Sequence, residues 1–236
     1  MSSKGENKRA KSRSMPRTVQ VSKKNDYWTV RTKAGPHTRE TSIALGLVVR
    51  NFTGIASKMK EAKHILNSGE IKVNGVIRTS HQFAIGLFDA IAVEKQKLFY
   101  RVLLDTKGRV VLKQVEAELK HKISRVTNKV MSPKGVQLTT DDGKTYYGVE
   151  AKVGDSLKVS LTSGKVESVL PLKEGAVVYM IKGAHCSQTA KITGIVEGTI
   201  RRNRLVKLSN GKEEFETTAD NVYVVGKDKA ELDELK

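Results

Sequence analysis

Residues 57–79 read SKMKEAKHILNSGEIKVNGVIRT, a stretch in which helix and hairpin signals follow one another with no loop between them. Ile55, Met59, Ala62, Ile65 and Leu66 recur at i, i+4, i+7, i+10 and i+11. That spacing gathers them on one stripe of a helix, with Lys60 opposite and Lys58 and Lys63 on its flanks. Ser57 is placed to cap the helix, with Ile55 packing back from just before it. Gly69 stands where a helix needs a left-handed residue to stop. Ile71 and Val73 then alternate with charge as far as Asn74-Gly75, the dipeptide that best satisfies the two positive-φ positions of a type I′ turn. Two short strands, 70–73 and 76–78, are therefore predicted. A basic helix joined directly to a tight hairpin makes a compact unit suited to gripping RNA.

Charge supports that direction. Forty-three Lys and Arg against 25 Asp and Glu leave +18 and a pI near 9.9, a field that calls for a polyanionic partner. A membrane surface is the competing polyanion, but the longest clean apolar run, 43–49, is far short of the roughly 18 residues that span a bilayer. With 236 residues the chain suits two or three small domains rather than one large core. The N-terminus is basic with no apolar segment after it, and the single Cys186 excludes an intrachain disulfide framework, so the expected compartment is the cytoplasm. Cys186 lies beside His185 without further ligands at metal spacing, whereas structural zinc needs about four. No metal and no cofactor are expected. His37, His64, His81 and His121 are scattered, which suits packing or RNA-facing roles, and no catalytic triad, Walker or GxGxxG pattern stands in a credible context.

Residues 1–40 set Arg9, Lys11, Arg13, Arg17, Lys23, Lys24, Arg31, Lys33 and Arg39 against few acids and little apolar periodicity, as a basic extension without its own core would. Met15, Pro16, Tyr27, Trp28 and Pro36 interrupt the charge in a way a solubility tail does not require. Aromatics between cations stack on bases while the cations meet phosphates, so this arm is expected to become ordered by RNA. Residues 41–96 read as helix, helix, hairpin and closing strand: Ile43, Leu47 and Val48 mark a first short helix, and 84–93 is the last apolar segment. Beyond them, short runs of Val, Leu and Ile are divided by turns at Asp105-Thr106-Lys107-Gly108, Pro133-Lys134-Gly135, Asp141-Asp142-Gly143, Thr162-Ser163-Gly164, Asn203 and Asn210-Gly211. A short helix is expected at 115–120, where Glu116 and Lys120 form an i, i+4 pair. The β region divides near 171–175, giving pieces at 97–172 and 173–227, each about the size of a small barrel. An exposed or weakly helical tail, 228–236, carries Glu231, Asp233 and Glu234. The expected fold class is α+β and multidomain, a small α/β module followed by mostly-β domains.

AGPHTRE at 34–40, VVRN at 48–51, GEIKVNG at 69–75, GLFDAI at 86–91, LDTKGR at 104–109 and NVYVVGK at 221–227 together span nearly the whole chain. In combination they resemble the small-subunit ribosomal protein family S-four-e of archaea and eukaryotes, and by length the archaeal form. The resemblance implies a basic extension over 1–40, an S-four-type RNA-binding domain over 41–96, a central β domain over 97–172, a KOW-type, SH3-like small barrel over 173–227 and the acidic tail 228–236. It also implies a structural, non-enzymatic role in the small ribosomal subunit. The partners would be small-subunit rRNA and neighbouring ribosomal proteins, with no membrane and no small-molecule substrate. One stretch departs from the family pattern. The KOW loop, glycine-rich in the family, here reads Lys182, Gly183, Ala184, His185, Cys186, Ser187, Gln188, Thr189, Ala190, which puts its shape and its RNA contact in question.

The expected contacts follow from charge placed on those modules. Arg39, Arg50, Lys58, Lys60 and Lys63 line the helical surface, while Lys72, Asn74 and Arg78 present the hairpin above a core of Ile65, Leu66, Ile71, Val73 and Ile91. The arm adds its cations together with Trp28 and His37. Lys107 and Arg109 charge a turn that needs only its Asp and Gly for backbone reasons, and Arg201, Arg202 and Arg204 are an alternative contact for the last domain. The bland alternatives are an ordinary solvated helix face at 58–63 and a solvated hairpin tip at 201–204. Affinity is expected to come mainly from phosphate neutralisation and to read RNA shape. Two rivals stand beside this. S-four-type modules also precede pseudouridine synthase domains, but those enzymes follow their aspartate with a different spacing from that of Asp105 and Gly108. A translation or transcription factor docking through the last barrel is the second.

Overall fold

The computed structural model describes residues 10–133, 135–211, 213–227 and 229–232. They divide into two compact units: one runs through Val102 and resumes over Arg109–Gln114, and the other takes Leu103–Gly108 and continues from Val115.

In the first unit the arm is folded and fastened to the rest of the unit. Strands β1 (Ala10–Lys11) and β2 (Trp28–Thr29) pair antiparallel, and Ala10, Ser12, Met15 and Val19 are buried. Backbone bonds from Lys33 to the Gln82 carbonyl (2.9 Å) and from Val110 to the Thr18 carbonyl (2.8 Å) fasten it along its length. Scattered apolar residues thus find partners that no local period announces. β3 (Ile43–Ala44) leads into α1 (Leu45–Leu47) and a wider π-type turn over Val48–Phe52. Ile43 is therefore strand rather than helix, because Ile85 pairs with it across the chain. α2 (Met59–Asn67) begins later than Ser57, since the Glu61 carboxylate accepts the Ser57 and Lys58 amides at 2.9 and 3.1 Å and so closes the first turn itself. Gly69 takes φ 75° just past its end.

The hairpin follows as β4 (Ile71–Val73) and β5 (Val76–Ile77), with Asn74 and Gly75 at φ 52° and 78°. β6 (Ala84–Ile85), β7 (Ala90–Val93), β8 (Leu98–Leu104) and β9 (Val110–Val115) complete the unit. The main sheet runs β5-β4-β7-β8-β9, and β6 pairs β3 separately. Leu66, Ile71, Val73 and Ile91 are buried in the core, each contributing about 1.5–3 kcal/mol by leaving water. No helix forms at 115–120: β9 ends at Val115 and an irregular lead-in follows, since one side-chain pair does not offset helix nucleation.

The second unit holds two five-stranded antiparallel sheets. β10 (His121–Ser132), β11 (Gly135–Thr140), β12 (Thr145–Tyr147), β13 (Ser156–Ser160) and β14 (Val166–Leu170) form one, in the order β12-β11-β10-β13-β14. Long β10 serves both halves, pairing β13 through residues 121–125 and β11 beyond a bulge at 126–128. Beneath it lie Val126, Leu138, Ala151, Leu157 and Val159. Lys122 and Asp142 make a buried ion pair at 3.2 Å. Burial raises the Asp142 carboxyl, but Lys122 and the Thr140 hydroxyl outweigh it and hold the group below the usual carboxylate range.

β15 (Val177–Met180), β16 (Thr189–Val196), β17 (Leu205–Ser209), β18 (Glu214–Thr218) and β19 (Val222–Gly226) form the second sheet, ordered β18-β17-β16-β15-β19. Arg125 of β10 lies over the Tyr223 ring of β19 at 4.8 Å and donates to the Asp220 carbonyl at 2.7 Å, while the Tyr223 hydroxyl donates to the Asp141 carboxylate. The expectation of an exposed or weakly helical tail is corrected for its described part. Leu232 is buried, and Glu231 meets Lys158 at 2.9 Å. Asp233 and Glu234 lie outside the described residues.

Candidate nucleic-acid interface

The hairpin and the arm are held by one buried carboxylate. Asp89, wholly removed from solvent, accepts the Gly86 amide (2.8 Å) and the His37 ring at Nε2 (2.9 Å) on one oxygen, and the Asn74 side-chain amide (2.8 Å) on the other. Asn74 Oδ1 in turn accepts the Ala90 amide at 2.9 Å. Gly86 is required there, because a Cβ would stand 2.4 Å from the His37 ring. Beside Asp89, the buried Arg101 donates from Nη1 to the Phe88 carbonyl at 3.0 Å, and Phe88 itself sits at φ 61°. The GLFDAI run is thus a fastening point that sequence spacing alone does not reveal.

Two of the expected RNA contacts take part in this geometry. His37 through Nε2 and Asn74 through both atoms of its amide bond to Asp89 and its neighbour, and so help hold the module together.

Other cations do face outward. Lys58, at the N-cap of α2, and Lys60 and Lys63 along it are exposed, Lys60 opposite the buried Ala62 and Leu66 and the other two on the flanks. Lys33 of the arm belongs with them, for burial and then the fields of Lys63 and Lys33 hold the His81 ring below its usual pKa. Sequence offers His81 only as one of several scattered histidines, since nothing local ties it to either lysine. Arg50 is half-buried, 3.8 Å from the Asp26 carboxylate, and lines a cleft of about 610 Å³ with Ser22, Asn25, Ser57 and Lys58. Lys72 is occupied by Glu94, and the Arg78 guanidinium lies over the Phe83 ring at 4.6 Å.

On the arm, Lys11, Arg13, Arg17, Lys23 and Lys24 are exposed, Arg31 and Arg39 are half-buried, and Arg9 lies outside the described residues. Tyr27 and Trp28 meet edge to face at 4.9 Å, Lys11 lies 5.2 Å over the Tyr27 ring, and both aromatics remain exposed. Arg109 in the first unit is half-buried.

In the second unit Lys107 is exposed at a turn closed by the Gly108 amide on the Asp105 carbonyl at 2.7 Å. Next to that turn the Tyr179 hydroxyl accepts the Leu104 amide at 3.1 Å, and burial raises its pKa. The glycine-poor loop resolves its own difficulty. Ser187 takes the left-handed position at φ 70°, with its amide on the Met180 carbonyl at 2.9 Å, and the buried Cys186 donates from Sγ to the Ile181 carbonyl at 3.3 Å. Burial pushes the Cys186 thiol up. The loop is thereby packed inward through its cysteine.

Between β16 and β17 a tight turn is closed by Thr199 and Arg202, whose amides and carbonyls exchange bonds of 2.8 and 3.2 Å. Arg201 and Arg202 are exposed, whereas Arg204 is engaged by Glu197 at 3.1 Å.

An α+β module and a mostly-β unit, both displaying cations on a chain of strong positive charge, define an RNA-binding protein. The chain belongs to the ribosomal protein family S4e. The model of that family, described as ribosomal family S4e, matches residues 96–166. The small ribosomal subunit protein eS4 of Methanosphaera stadtmanae is 34% identical over 232 residues, covering 97% of this chain and 96% of that protein. The eS4 protein of Archaeoglobus fulgidus is 35% identical over 217 residues, covering 91% of each. Among solved structures, the crystal structure of the 30S ribosomal protein S4e from Thermoplasma acidophilum superposes with a TM-score of 0.67 at 31% identity, covering 79% of this chain and 95% of that one. Membership in a structural protein family sets aside the RNA-modifying enzyme. Among the described residues no helix is long and apolar enough to cross a membrane.

Proposed function

We infer that this protein is a structural constituent of the small ribosomal subunit, binding small-subunit rRNA and neighbouring ribosomal proteins and performing no reaction. The observation that carries this is the near full-length match to archaeal eS4 proteins. The outward display of Lys58, Lys60 and Lys63 around the exposed side of α2 agrees with it.

In the first unit Lys33, Arg50, Lys58, Lys60 and Lys63 meet RNA phosphates, with His81 able to take up a proton as phosphate approaches. The arm adds Lys11, Arg13, Arg17, Lys23 and Lys24, and Trp28 offers a stacking face beside Tyr27. In the second unit Lys107, Arg201 and Arg202 are the contacts. We assign residues 41–96 to an S4-type domain, 97–172 to a central β domain and 173–227 to a KOW-type, SH3-like small barrel. The return of β19 beside β15, which brings the last strand next to the first, supports the barrel.

Replacing Lys58, Lys60 and Lys63 together with Glu tests the reading. Binding of the full chain to small-subunit rRNA should weaken, and its log–log salt slope should fall by roughly 0.7–0.9 for every phosphate that is no longer neutralised, with far-ultraviolet circular dichroism unchanged. Salt-insensitive binding by the wild type, or an unaltered slope in the variant, would move the contact elsewhere. Co-migration of the protein in stoichiometric amount with the small subunit in a sucrose gradient separates a constituent from a passing factor.

A further inference from the structure

Ile200 stands at the tip of the turn between β16 and β17 with an exposure of 107%, more than any other large apolar residue among those described; Met131 follows at 77%. Single exposed apolar side chains are common and need no explanation. Three features set this one apart.

Its backbone is held. Thr199 and Arg202 close the turn from both directions, and Gly198 lets the strands approach so closely that a Cβ would stand 2.8 Å from the Arg204 amide. At the base of the turn the Glu197 carboxylate is paired with Arg204 at 3.1 Å. The residues that follow Ile200, Arg201 and Arg202, are both exposed cations. The turn therefore presents an apolar side chain on a held backbone, followed by two exposed cations.

That combination matches one kind of surface. Phosphates lie beside apolar base faces in folded RNA, and unstacked bases in loops and bulges pack against protein side chains while cations hold the flanking backbone. Apolar wedges placed next to cationic contacts are a known way of engaging a nucleic acid's base steps. A protein surface accepting the same turn would need an apolar socket ringed by acids. We propose that Ile200 is an apolar wedge that packs against an unstacked base of small-subunit rRNA, with Arg201 and Arg202 on the adjoining phosphates. This rests on the rRNA-binding role inferred above and adds to it a contact whose contribution does not depend on salt.

Salt dependence separates the two. Binding of the full chain to naked small-subunit rRNA is measured over a potassium chloride series for the wild type, Ile200→Ser, Ile200→Phe and the double Arg201→Ala, Arg202→Ala variant. Circular dichroism serves as the folding control, which Ile200 variants should pass because the side chain is fully exposed. Ile200→Ser should weaken binding by about fivefold to twentyfold with no change in salt slope, the size expected when a side chain stops packing on one base. Ile200→Phe should stay within about twofold of wild type, since an aromatic ring stacks at least as well. The arginine pair should instead lower the slope by roughly 0.7 for each phosphate that is no longer neutralised.

Equal affinity of Ile200→Ser and wild type overturns the wedge while leaving the rRNA-binding role intact. A defect seen only in assembled subunits and not on naked rRNA also overturns it, assigning Ile200 to a protein neighbour. Failure of the wild type to bind rRNA would remove the role itself.

Discussion

Two tight turns in this protein differ in build and are used in opposite ways: Asn74 and Gly75 both take positive φ, Ile200 and Arg201 do not. At Asn74-Gly75 the polar side chain bends inward, so that Asn74 donates to Asp89 and accepts from Ala90. At the turn closed by Thr199 and Arg202 the neighbouring side chains are left in solvent, and the most exposed of them is apolar. The first turn spends its chemistry on its own module, the second offers its chemistry to something else. A turn-favouring residue is therefore no guide to contact; what its side chain bonds to is.

The sharpest way to break this contrast is at Asp89. Asp89→Ala removes the acceptor for the Gly86 amide, the His37 ring and the Asn74 amide at once. Urea unfolding should show a loss of about 3–5 kcal/mol, as for other buried groups stripped of a charged partner. A loss below about 1 kcal/mol would mean that the inward turn is not a fastener. Next in size, Asn74→Ala should cost about 1–2 kcal/mol, for it removes two hydrogen bonds and leaves a residue ill suited to φ 52°. Ile200→Ser, its counterpart on the outward turn, should shift stability by no more than about 0.5 kcal/mol.

The smallest effect concerns His81, whose pKa is lowered by burial and then by Lys63 and Lys33. The unfolded chain takes up this proton first, near the ordinary value of about 6.5. Stability is therefore unaffected above that pH and falls as the pH drops from there towards the lower folded-state value. His81→Gln should flatten that part of the pH–stability curve; an unchanged curve would show that neither burial nor the lysines shift the ring.

How far these regions were legible depends on the distance over which each is determined. α2 and the hairpin after it could be read directly, because the apolar period, Gly69 and Asn74-Gly75 act within a few residues. The outward lysines of α2 were equally plain, since a buried stripe fixes the opposite face. Ile43 forms strand where its local pattern predicts helix, because its partner, Ile85, lies far along the chain. Nor could the side chains of His37 and Asn74 be oriented from sequence, as both are aimed by Asp89. The arm's burial has the same origin, with Thr18 and Lys33 meeting Val110 and Gln82. At Glu116 and Lys120 the reason is different in kind: a favourable local pair predicts a helix that is too short to nucleate.

Cys186 gives the second unit a native chemical clock. The thiolate is the form that reacts, and here the thiol is both enclosed and held above its usual pKa. An aromatic disulfide reagent can then modify the intact protein only as fast as the loop around Cys186 opens. Because the chain contains a single cysteine, the colour released would time that opening alone, with no label introduced and no residue replaced.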